Sequence, residues 1–159
     1  MSKELPARPG AFIGGRNAFA LVVSRYNPAY TSALEENARE ELQAIHPEVV
    51  VDVFDSPGSF EVPLFVKLLA ARGKYDAILA LGVILKGETA HADLIASSIT
   101  QSLQDIALTH GVPVIHEVLL LNDEAQARAR CLDPQLNRGR EAARAAVAAA
   151  RTVHQIITS

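Results

Sequence analysis

The residues best suited to chemistry lie in one polar segment, residues 86–91, which directly follows a long apolar run. His91 carries an imidazole that can accept or donate a proton near neutral pH without special tuning. If a helix begins here, the backbone N–H groups of Gly87, Glu88 and Thr89 and the positive end of the helix dipole would suit an anion such as phosphate. A simpler role is also open, in which Thr89 caps the helix and Gly87 only permits the turn.

A buried strand and a helix must position this segment. The run Ala77–Leu85 is apolar along its whole length, with one glycine inside it, which is typical of a strand covered on both faces. After His91, apolar residues recur at helical spacing from Leu94 to Leu108. In open α/β sheets, ligands bind beyond the carboxyl ends of the strands, and this junction would lie there. The sequence therefore predicts an active site at this edge of the sheet.

The same alternation of strands and helices runs along the whole chain. The patterns predict strands at 18–24, 49–54, 77–85 and 114–121 and helices at 60–71, 89–109, 123–130 and 138–157, with a further helix that begins at Thr31 or Ser32, has Glu35 and Glu36 in its first turn and ends at His46. This order predicts an α/β fold with three α/β/α layers, in which a four-stranded parallel sheet is flanked by helices on both faces (the flavodoxin-like arrangement). We predict an extended arm at 1–16 and a single domain at 17–159.

The composition narrows the functional class. The chain has 159 residues, of which 21% are charged, and a net charge of −3, which gives no electrostatic reason to expect nucleic acid or an anionic membrane as a partner. The single cysteine, Cys131, excludes an internal disulfide and is typical of a reducing compartment. We see no signal-peptide pattern, no apolar run long enough to cross a bilayer and no metal-binding spacing, so we predict a cytoplasmic protein without a metal.

Two further segments follow predicted strands at the same edge. Tyr26 and Asn27 follow the first strand, where the phenol ring could stack on a planar ligand or could simply be exposed in a loop. Ser59, Phe60 and Glu61 belong to a P-G-S-F-E turn after the second strand. This turn could bind hydroxyl groups, or Glu61 could only favour the start of a helix.

A basic cluster and a second histidine complete the candidates. Arg128, Arg130, Arg138 and Arg140 surround a break between two predicted helices. Such a cluster is usually a solvated face, but next to an anion site it could clamp a phosphate. His116 lies within the fourth strand, so we predict that its side chain is partly buried.

Four segments match one pattern in order along the chain: S-R-Y-N from Ser24, P-G-S-F-E from Pro57, residues 82–91, and N-R-G from Asn137. In this order they resemble the 6,7-dimethyl-8-ribityllumazine synthase family, and the likeness extends from about residue 19 to residue 157. The combination of P-G-[SA]-[FY]-E with G-x-x-[IL]-[RK]-G-x-T-x-H at this separation is specific, whereas either motif alone would be much weaker.

The resemblance implies a transferase that catalyses the penultimate step of riboflavin biosynthesis. Such enzymes condense 5-amino-6-(D-ribitylamino)uracil with 3,4-dihydroxy-2-butanone 4-phosphate, and they use neither a metal nor an organic cofactor. Members of the family are homo-oligomers built on pentamers with shared active sites. Some are single pentamers, some are decamers and some are hollow shells of sixty subunits, and this choice stays open for the present sequence.

The resemblance also implies roles for individual residues. His91 would be the catalytic residue through proton transfer, and Arg130 would bind phosphate in the site of a neighbouring subunit. Arg138 would lie near the uracil carbonyl, and His116 would line the site from the adjacent subunit. The implied substrate-binding set consists of Tyr26, Asn27 and the backbone of Ile84 and Leu85 at the ring, Ser59 and Glu61 at the ribityl chain, Gly87, Glu88, Thr89 and Arg130 at the phosphate, and also Phe60, Lys86, His116 and Arg138.

Two places depart from the family pattern. Ala92 stands where an aromatic residue commonly follows the histidine, and His116-Glu117 stands where Phe-Gly is more usual. These departures motivate two other hypotheses, a non-catalytic relative that binds a flavin and a scaffold or shell protein with a vestigial pocket. A generic flavodoxin-like FMN binder is disfavoured because the loops after the strands lack its phosphate-binding pattern.

Overall fold

The structure, a computed structural model, describes residues 4–11 and 14–159. Within this part of the chain the strands and helices are β1 (Ala18–Ser24), α1 (Pro28–Ile45), β2 (Val50–Ser56), α2 (Val62–Ala70), β3 (Ala77–Leu85), α3 (His91–His110), β4 (Val114–Leu121), α4 (Glu124–Cys131) and α5 (Arg138–Thr158). Every predicted strand and helix is present, and the bounds of β1, β3 and β4 match the prediction.

The four strands form one parallel sheet in the order β2-β1-β3-β4. The central strand β1 is buried along its whole length, as its continuous apolar sequence predicts. The register aligns the strand ends, because Ser24 pairs with Ser56 at the ends of β1 and β2 and Leu85 pairs with Leu121 at the ends of β3 and β4. The carboxyl ends of the strands therefore meet at one edge, as the predicted site requires.

Helices cover both faces of the sheet. Neighbouring residues of a strand point to opposite faces, so Leu21 belongs to a core formed with α1, α4 and α5, whereas Val22 belongs to a second core formed with α2 and α3. The predicted three-layer α/β/α fold around a four-stranded parallel sheet is thus confirmed.

The start of α1 differs from the prediction. The helix begins at Pro28, not at Thr31 or Ser32. Asn27 precedes it in a left-handed conformation with φ 59°, and proline suits the first helical position because its φ is fixed near the helical value. The acidic residues 35 and 36 consequently lie beyond the first turn, which contains no acidic residue.

Three other boundaries also shift. β2 extends to Ser56 because its last residues pair with the end of β1. α2 begins at Val62 rather than at residue 60, since the N–H of Val62 closes a tight turn onto the carbonyl oxygen of Ser59 at 3.2 Å. α3 begins at His91 rather than at residue 89. In each case a loop at the carboxyl edge of the sheet is placed differently from the prediction.

The described part of the predicted arm, residues 4–11 and 14–16, contains no helix or strand. Residues 1–3 and 12–13 of the arm lie outside the described residues. The division between this arm and one domain at 17–159 stays a prediction.

Charged contacts attach the arm to α5 and α1. Arg144 and Arg151 of α5 donate hydrogen bonds to backbone carbonyl oxygens of the arm, each at 2.5 Å. Arg8 of the arm forms an ion pair at 2.6 Å with Glu41, whose side chain is buried in α1. A buried carboxylate requires an opposite charge nearby, and Arg8 of the arm provides one for Glu41.

The start of α5 is fixed by neighbours on both sides. Asn137 is buried, and its Oδ1 accepts hydrogen bonds from the N–H groups of Gly139 at 2.8 Å and Arg140 at 3.3 Å. Its Nδ2 donates to the carbonyl oxygen of Cys131 at the end of α4, at 2.5 Å. A Cβ at Gly139 would collide with the carbonyl oxygen of Leu34, so glycine is required for the close approach of α1 and α5.

We expect Gly139→Ala to lower the free energy of unfolding by about 1–3 kcal/mol, because the added methyl group overpacks the contact between α1 and α5. Gly111→Ala is the matched control. A Cβ there meets nothing within 4 Å, and the strain of the left-handed backbone should cost only about 1 kcal/mol. Urea unfolding measures both values. A smaller loss for Gly139→Ala than for Gly111→Ala would contradict the packing described here.

Candidate active site

A cleft of about 570 Å³ lies at the carboxyl edge of the sheet, beyond the ends of β1 and β3. Eight of the predicted site residues line it: Tyr26, Asn27, Ser59, Phe60, Glu61, Ile84, Leu85 and His91. Its other lining residues, Gly58, Val83, Ala92 and Ile95, were not predicted to bind substrate. Gly58 and Ala92 had been noted in the sequence, in the P-G-S-F-E turn and as a departure beside His91, whereas Val83 and Ile95 had been assigned only to a strand and a helix.

Asn27 fixes the first wall of the cleft. Its backbone is left-handed with φ 59°, a conformation that asparagine tolerates better than most residues, and its Nδ2 donates to the carbonyl oxygen of Val83 at 2.9 Å. The loop between β1 and α1 is thereby joined to β3. Tyr26 is carried on this loop with 69% of its surface exposed, so its ring is available for stacking. The amide of Asn27 is occupied by backbone, so the residue positions Tyr26.

Buried serines shape the second wall, which is the P-G-S-F-E turn after β2. The hydroxyl of Ser56 donates to the carbonyl oxygen of Gly58 at 2.6 Å, and the hydroxyl of Ser59 lies 3.4 Å from that of Ser24. A Cβ at Gly82 would come within 3.0 Å of the Ser59 hydroxyl, so the glycine inside β3 makes room for the turn. Sequence reasoning missed Ser24 and Ser56 as supports of the site. The available signal was a serine at the end of each of the first two strands.

Glu61 faces the cleft from the start of α2. The side chain is exposed and does not cap the helix. A Cβ added at Gly58 would lie 3.1 Å from Oε2 of Glu61, so the carboxylate is folded back over the turn. This orientation directs two acceptor oxygens toward the cleft, where they suit hydroxyl donors of a ligand.

His91 is the first residue of α3 and is exposed at the cleft. Its backbone N–H donates to the hydroxyl oxygen of Thr89 at 3.3 Å. Thr89 therefore precedes the helix, and the capping position is Ala90, which provides no side-chain cap. The positive end of the α3 dipole points toward the loop before His91.

Gly87 is not required by the shape of this loop. Its φ is not in the left-handed region, and a Cβ there would meet nothing within 4 Å. Neither backbone conformation nor packing therefore requires a glycine at this position. The neighbouring Lys86 forms an ion pair with Asp93 at 3.5 Å, and Glu88 is exposed.

His116 lies away from the cleft, between β4 and α3. Nδ1 accepts a hydrogen bond from the N–H of Val118 at 3.2 Å, so we assign the proton to Nε2, which lies 2.8 Å from the hydroxyl of Thr100. Burial of the ring nitrogens lowers the pKa of His116, in agreement with a neutral ring. Because β4 is an edge strand, much of the residue is exposed to solvent, whereas its ring nitrogens face protein groups, so the side chain is partly buried.

Neither Arg130 nor Arg138 lines the cleft formed by the described residues of this chain. Arg130 lies near the end of α4, and Arg138 is the first residue of α5. Arg138 is buried and forms an ion pair with Glu141. Burial and, to a smaller extent, Glu141 raise the pKa of Glu117 to about 8 against the opposing charge of Arg138. Burial and Glu117 raise the pKa of the Cys131 thiol to about 12, opposed by Arg130. Sequence reasoning noted Glu117 only as a departure from the family pattern and gave it no role.

A second cavity, of about 380 Å³, lies at the opposite edge of the sheet and contains none of the predicted site residues. Among the described residues, no group of three or more His, Cys, Asp or Glu side chains is arranged to bind a metal ion. In the same part of the chain, no helix is both long enough and apolar enough to cross a membrane. Eight of the predicted residues thus converge on the carboxyl-edge cleft, whereas His116 lines a separate, smaller cavity between α3 and β4.

The fold and the cleft define a class of protein: a three-layer α/β protein whose strand ends present an aromatic wall, hydroxyl and carboxylate acceptors, and a histidine at a helix start. Comparison with known proteins narrows this class. Residues 16–154 match the sequence model of the family described as 6,7-dimethyl-8-ribityllumazine synthase.

Curated relatives give the same result. A 6,7-dimethyl-8-ribityllumazine synthase from Thermococcus onnurineus is 42% identical over 153 residues, which is 96% of this chain and 99% of the relative. One from Pyrococcus furiosus is 43% identical over 76% of each chain. A 6,7-dimethyl-8-ribityllumazine synthase 1 from Caulobacter vibrioides is 37% identical over 86% of this chain and 90% of the relative. The chain therefore belongs to the 6,7-dimethyl-8-ribityllumazine synthase family, as the resemblance predicted.

The position of Asn27 can be tested through stability. We expect Asn27→Ala to lower the free energy of unfolding by about 2 kcal/mol, because it removes the hydrogen bond to Val83 and leaves alanine in the left-handed region. Asn27→Gly loses only the hydrogen bond and should cost about 1 kcal/mol. Urea unfolding compares the two variants, and equal losses would argue against backbone strain at this position.

Proposed function

We propose that this protein catalyses the condensation of 5-amino-6-(D-ribitylamino)uracil with 3,4-dihydroxy-2-butanone 4-phosphate to give 6,7-dimethyl-8-ribityllumazine, phosphate and water. The observation that carries the proposal is the meeting of Tyr26, Glu61 and His91 around one cleft at the strand ends. Membership in a family whose compared members are named for this synthase supports it. We expect the reaction to need no metal or organic cofactor and to take place in the cytoplasm.

The uracil compound would occupy the cleft itself. Its ring would stack on Tyr26 and contact the backbone of Ile84 and Leu85, which are partly buried at the end of β3. Ser59 and Glu61 would bind the ribityl hydroxyls. The Ser59 hydroxyl makes a contact of 3.4 Å inside the protein, long enough that a ligand hydroxyl could replace it with a stronger hydrogen bond.

The reaction needs proton transfer at several steps. The 5-amino group of the uracil compound attacks the ketone and forms a C=N bond with loss of water. Loss of the proton from the neighbouring carbinol carbon then expels the phosphate, which leaves with the electron pair of its C–O bond, and the enol that results becomes a ketone by proton transfer. The nitrogen that carries the ribityl chain attacks this ketone and closes the ring with loss of a second water. His91 can accept a proton from the attacking amine and return it to a departing oxygen. Because amine and ketone react readily, the main contribution is the alignment of the two substrates.

The phosphate would bind at the start of α3. The backbone of Gly87, Glu88 and Thr89 offers N–H donors at the positive end of the helix dipole. The carboxylate of Glu88 would repel a phosphate, so we expect only its backbone to face the ligand. Arg130 of a neighbouring copy would supply the permanent positive charge.

A neighbouring copy is part of the proposal because the cleft is open on its outer side. Tyr26 and Phe60 at its mouth are 69% and 62% exposed, and Leu64 and Leu68 continue an apolar stripe along α2 with exposures of 56% and 58%. An exposed apolar stripe of this kind is typical of a subunit contact. We propose a homo-oligomer built on pentamers, in which the arginines and histidine remote from their own cleft reach the cleft of another copy.

The direct test is turnover. Purified protein is mixed with the two substrates, and the lumazine product is followed by its absorbance together with phosphate release. We expect both products in equal amounts. A protein that is yellow when purified but forms no lumazine would favour the flavin-binding hypothesis. A protein that assembles but neither turns over nor binds the ribityl compound would favour the scaffold hypothesis.

Shared sites can be tested by complementation. We expect His91→Ala to slow turnover strongly while some activity remains. We expect Arg130→Ala to raise the KM for the phosphorylated substrate by a larger factor than it raises the Kd for the ribityl compound. When the two variants are dissociated and assembled together at equal concentration, random association should restore about a quarter of the sites. Each variant dissociated and reassembled alone is the control. No gain in activity, with mixed assembly verified by mass spectrometry, would contradict a site shared between copies.

A substitution at Gly87 can test phosphate binding with little change in protein stability. We expect Gly87→Ala to change the free energy of unfolding by less than about 0.5 kcal/mol, because the new Cβ meets nothing, while the KM for the phosphorylated substrate rises about three- to tenfold. The control is Gly73→Ala, whose backbone has φ 64° with nothing near the Cβ. It should lose about 1 kcal/mol of stability without a change in KM. An unchanged KM in Gly87→Ala would remove this loop from the phosphate site.

A further inference from the structure

Glu117 is an acidic residue at a core-facing position of β4. Its neighbours at alternate positions, Ile115 and Leu119, pack against the core formed with α1, α4 and α5. In register it pairs with Leu81 of β3, which is fully buried in the same core. Strand alternation therefore directs the Glu117 carboxylate under α4 and α5, where an apolar side chain is the ordinary choice.

Two charged groups of α5, Arg138 and Glu141 of its first turn, lie near this carboxylate. The end of α4 contributes the Cys131 thiol, on which Arg130 acts, and the neighbouring strand β3 contributes only apolar side chains. Arg138 is buried and paired with Glu141. Its backbone has little freedom, because the capping residue before it and the glycine after it are both packed against other helices.

We propose that Glu117 is a positioning residue for Arg138, in competition with Glu141 for its guanidinium, and that it sets how many N–H donors Arg138 can offer to the uracil carbonyl. This inference rests on the proposed function, in which Arg138 contacts that carbonyl. A guanidinium has five N–H donors, and one carboxylate engages two of them at most in a bidentate pair. With Glu141 as its only charged partner, Arg138 keeps donors for a ligand. A second ionised carboxylate would engage the remainder.

Ionisation of Glu117 therefore controls the availability of Arg138. Burial, with a further contribution from Glu141, raises the pKa of Glu117 to about 8 against the opposing charge of Arg138. At neutral pH most Glu117 is protonated and competes weakly for the guanidinium. Above the raised pKa it is ionised, and Arg138 lies between two carboxylates. Substrate binding through Arg138 should weaken in that range.

The same geometry has a consequence for stability, which can be measured without substrate. The pKa of Glu117 is raised on folding, so between its ordinary value of 4.5 and about 8 the folded protein holds a proton that the unfolded chain has released. The contribution of Glu117 to the free energy of unfolding therefore falls as pH rises through this window and becomes constant above it. Glutamine at this position cannot ionise and removes that slope.

The experiment compares the full-length protein with Glu117→Gln, and with Glu40→Gln as a control at an exposed position of α1. For the wild type and the control we expect kcat/KM to fall about five- to tenfold between pH 7 and pH 9, with the loss expressed in KM for the uracil compound and not in KM for the phosphorylated substrate. In Glu117→Gln this alkaline fall should be abolished. Urea unfolding across pH 5–9 should show a shallower pH dependence for Glu117→Gln alone.

Glu117→Leu, which matches the apolar neighbours on β4, provides a second variant if glutamine impairs folding. Glu117→Asp keeps an ionisable group and should keep an alkaline fall. An identical pH profile of kcat/KM in the wild type and in Glu117→Gln or Glu117→Leu would overturn the positioning role while leaving the proposed function intact. Absence of turnover at every pH in the wild type would instead overturn the proposed function and, with it, any role of Glu117 in that reaction.

Discussion

The site depends on one feature of the sheet, which is that β3 is longer than its neighbour β1 at the carboxyl edge. The pairing of β1 with β3 reaches Val23 and Leu81, whereas β3 continues to Leu85 beside β4. Backbone groups of β3 beyond that point have no strand partner on the β1 side, and a buried carbonyl without a partner is costly. The side chain of Asn27 donates to one of them, at Val83. The extension of β3 beyond the end of its pairing with β1 thus makes room for the cleft, and the bond to Val83 fixes the loop that carries Tyr26.

Small residues allow the turn after β2 to pack against the strands β1 and β3 here. A Cβ added at Gly82 of β3 would lie 3.0 Å from Oγ of Ser59 and 3.4 Å from Cβ of Ser24, so a neighbour would have to shift. Interiors are packed to the density of organic crystals, so a turn packed this closely has little freedom to move. Precise substrate alignment needs such rigidity, because catalysis through positioning is lost when reacting groups shift by about 1 Å. The packing of the sheet edge and the proposed chemistry are therefore consequences of the same small side chains.

Much of this arrangement could be predicted from the sequence, because burial leaves a pattern in the chain. The continuous apolar run of β3 gave its bounds correctly, and the parallel order of the strands brought eight predicted residues to one cleft. The start of α1 was misplaced since the left-handed cap at Asn27 depends on a carbonyl far along the chain. Glu117 stood out only as a departure from the family pattern. Its buried environment could not be predicted, because that environment is set by two helices whose packing over β4 has no local signature.

Two opposing requirements act on Arg138, which would supply positive charge to the proposed site. Arg138 is buried, and a buried guanidinium requires a compensating charge before any substrate arrives. An arginine whose N–H donors are all engaged, however, has none left for a substrate oxygen. Glu141 provides the compensation through a direct ion pair, and the proximity of Glu141 is one cause of the raised pKa of Glu117. Two carboxylates near one arginine cannot both be ionised without cost, so at neutral pH the cluster retains one negative charge, enough to stabilise the burial of Arg138 while donors remain for a ligand.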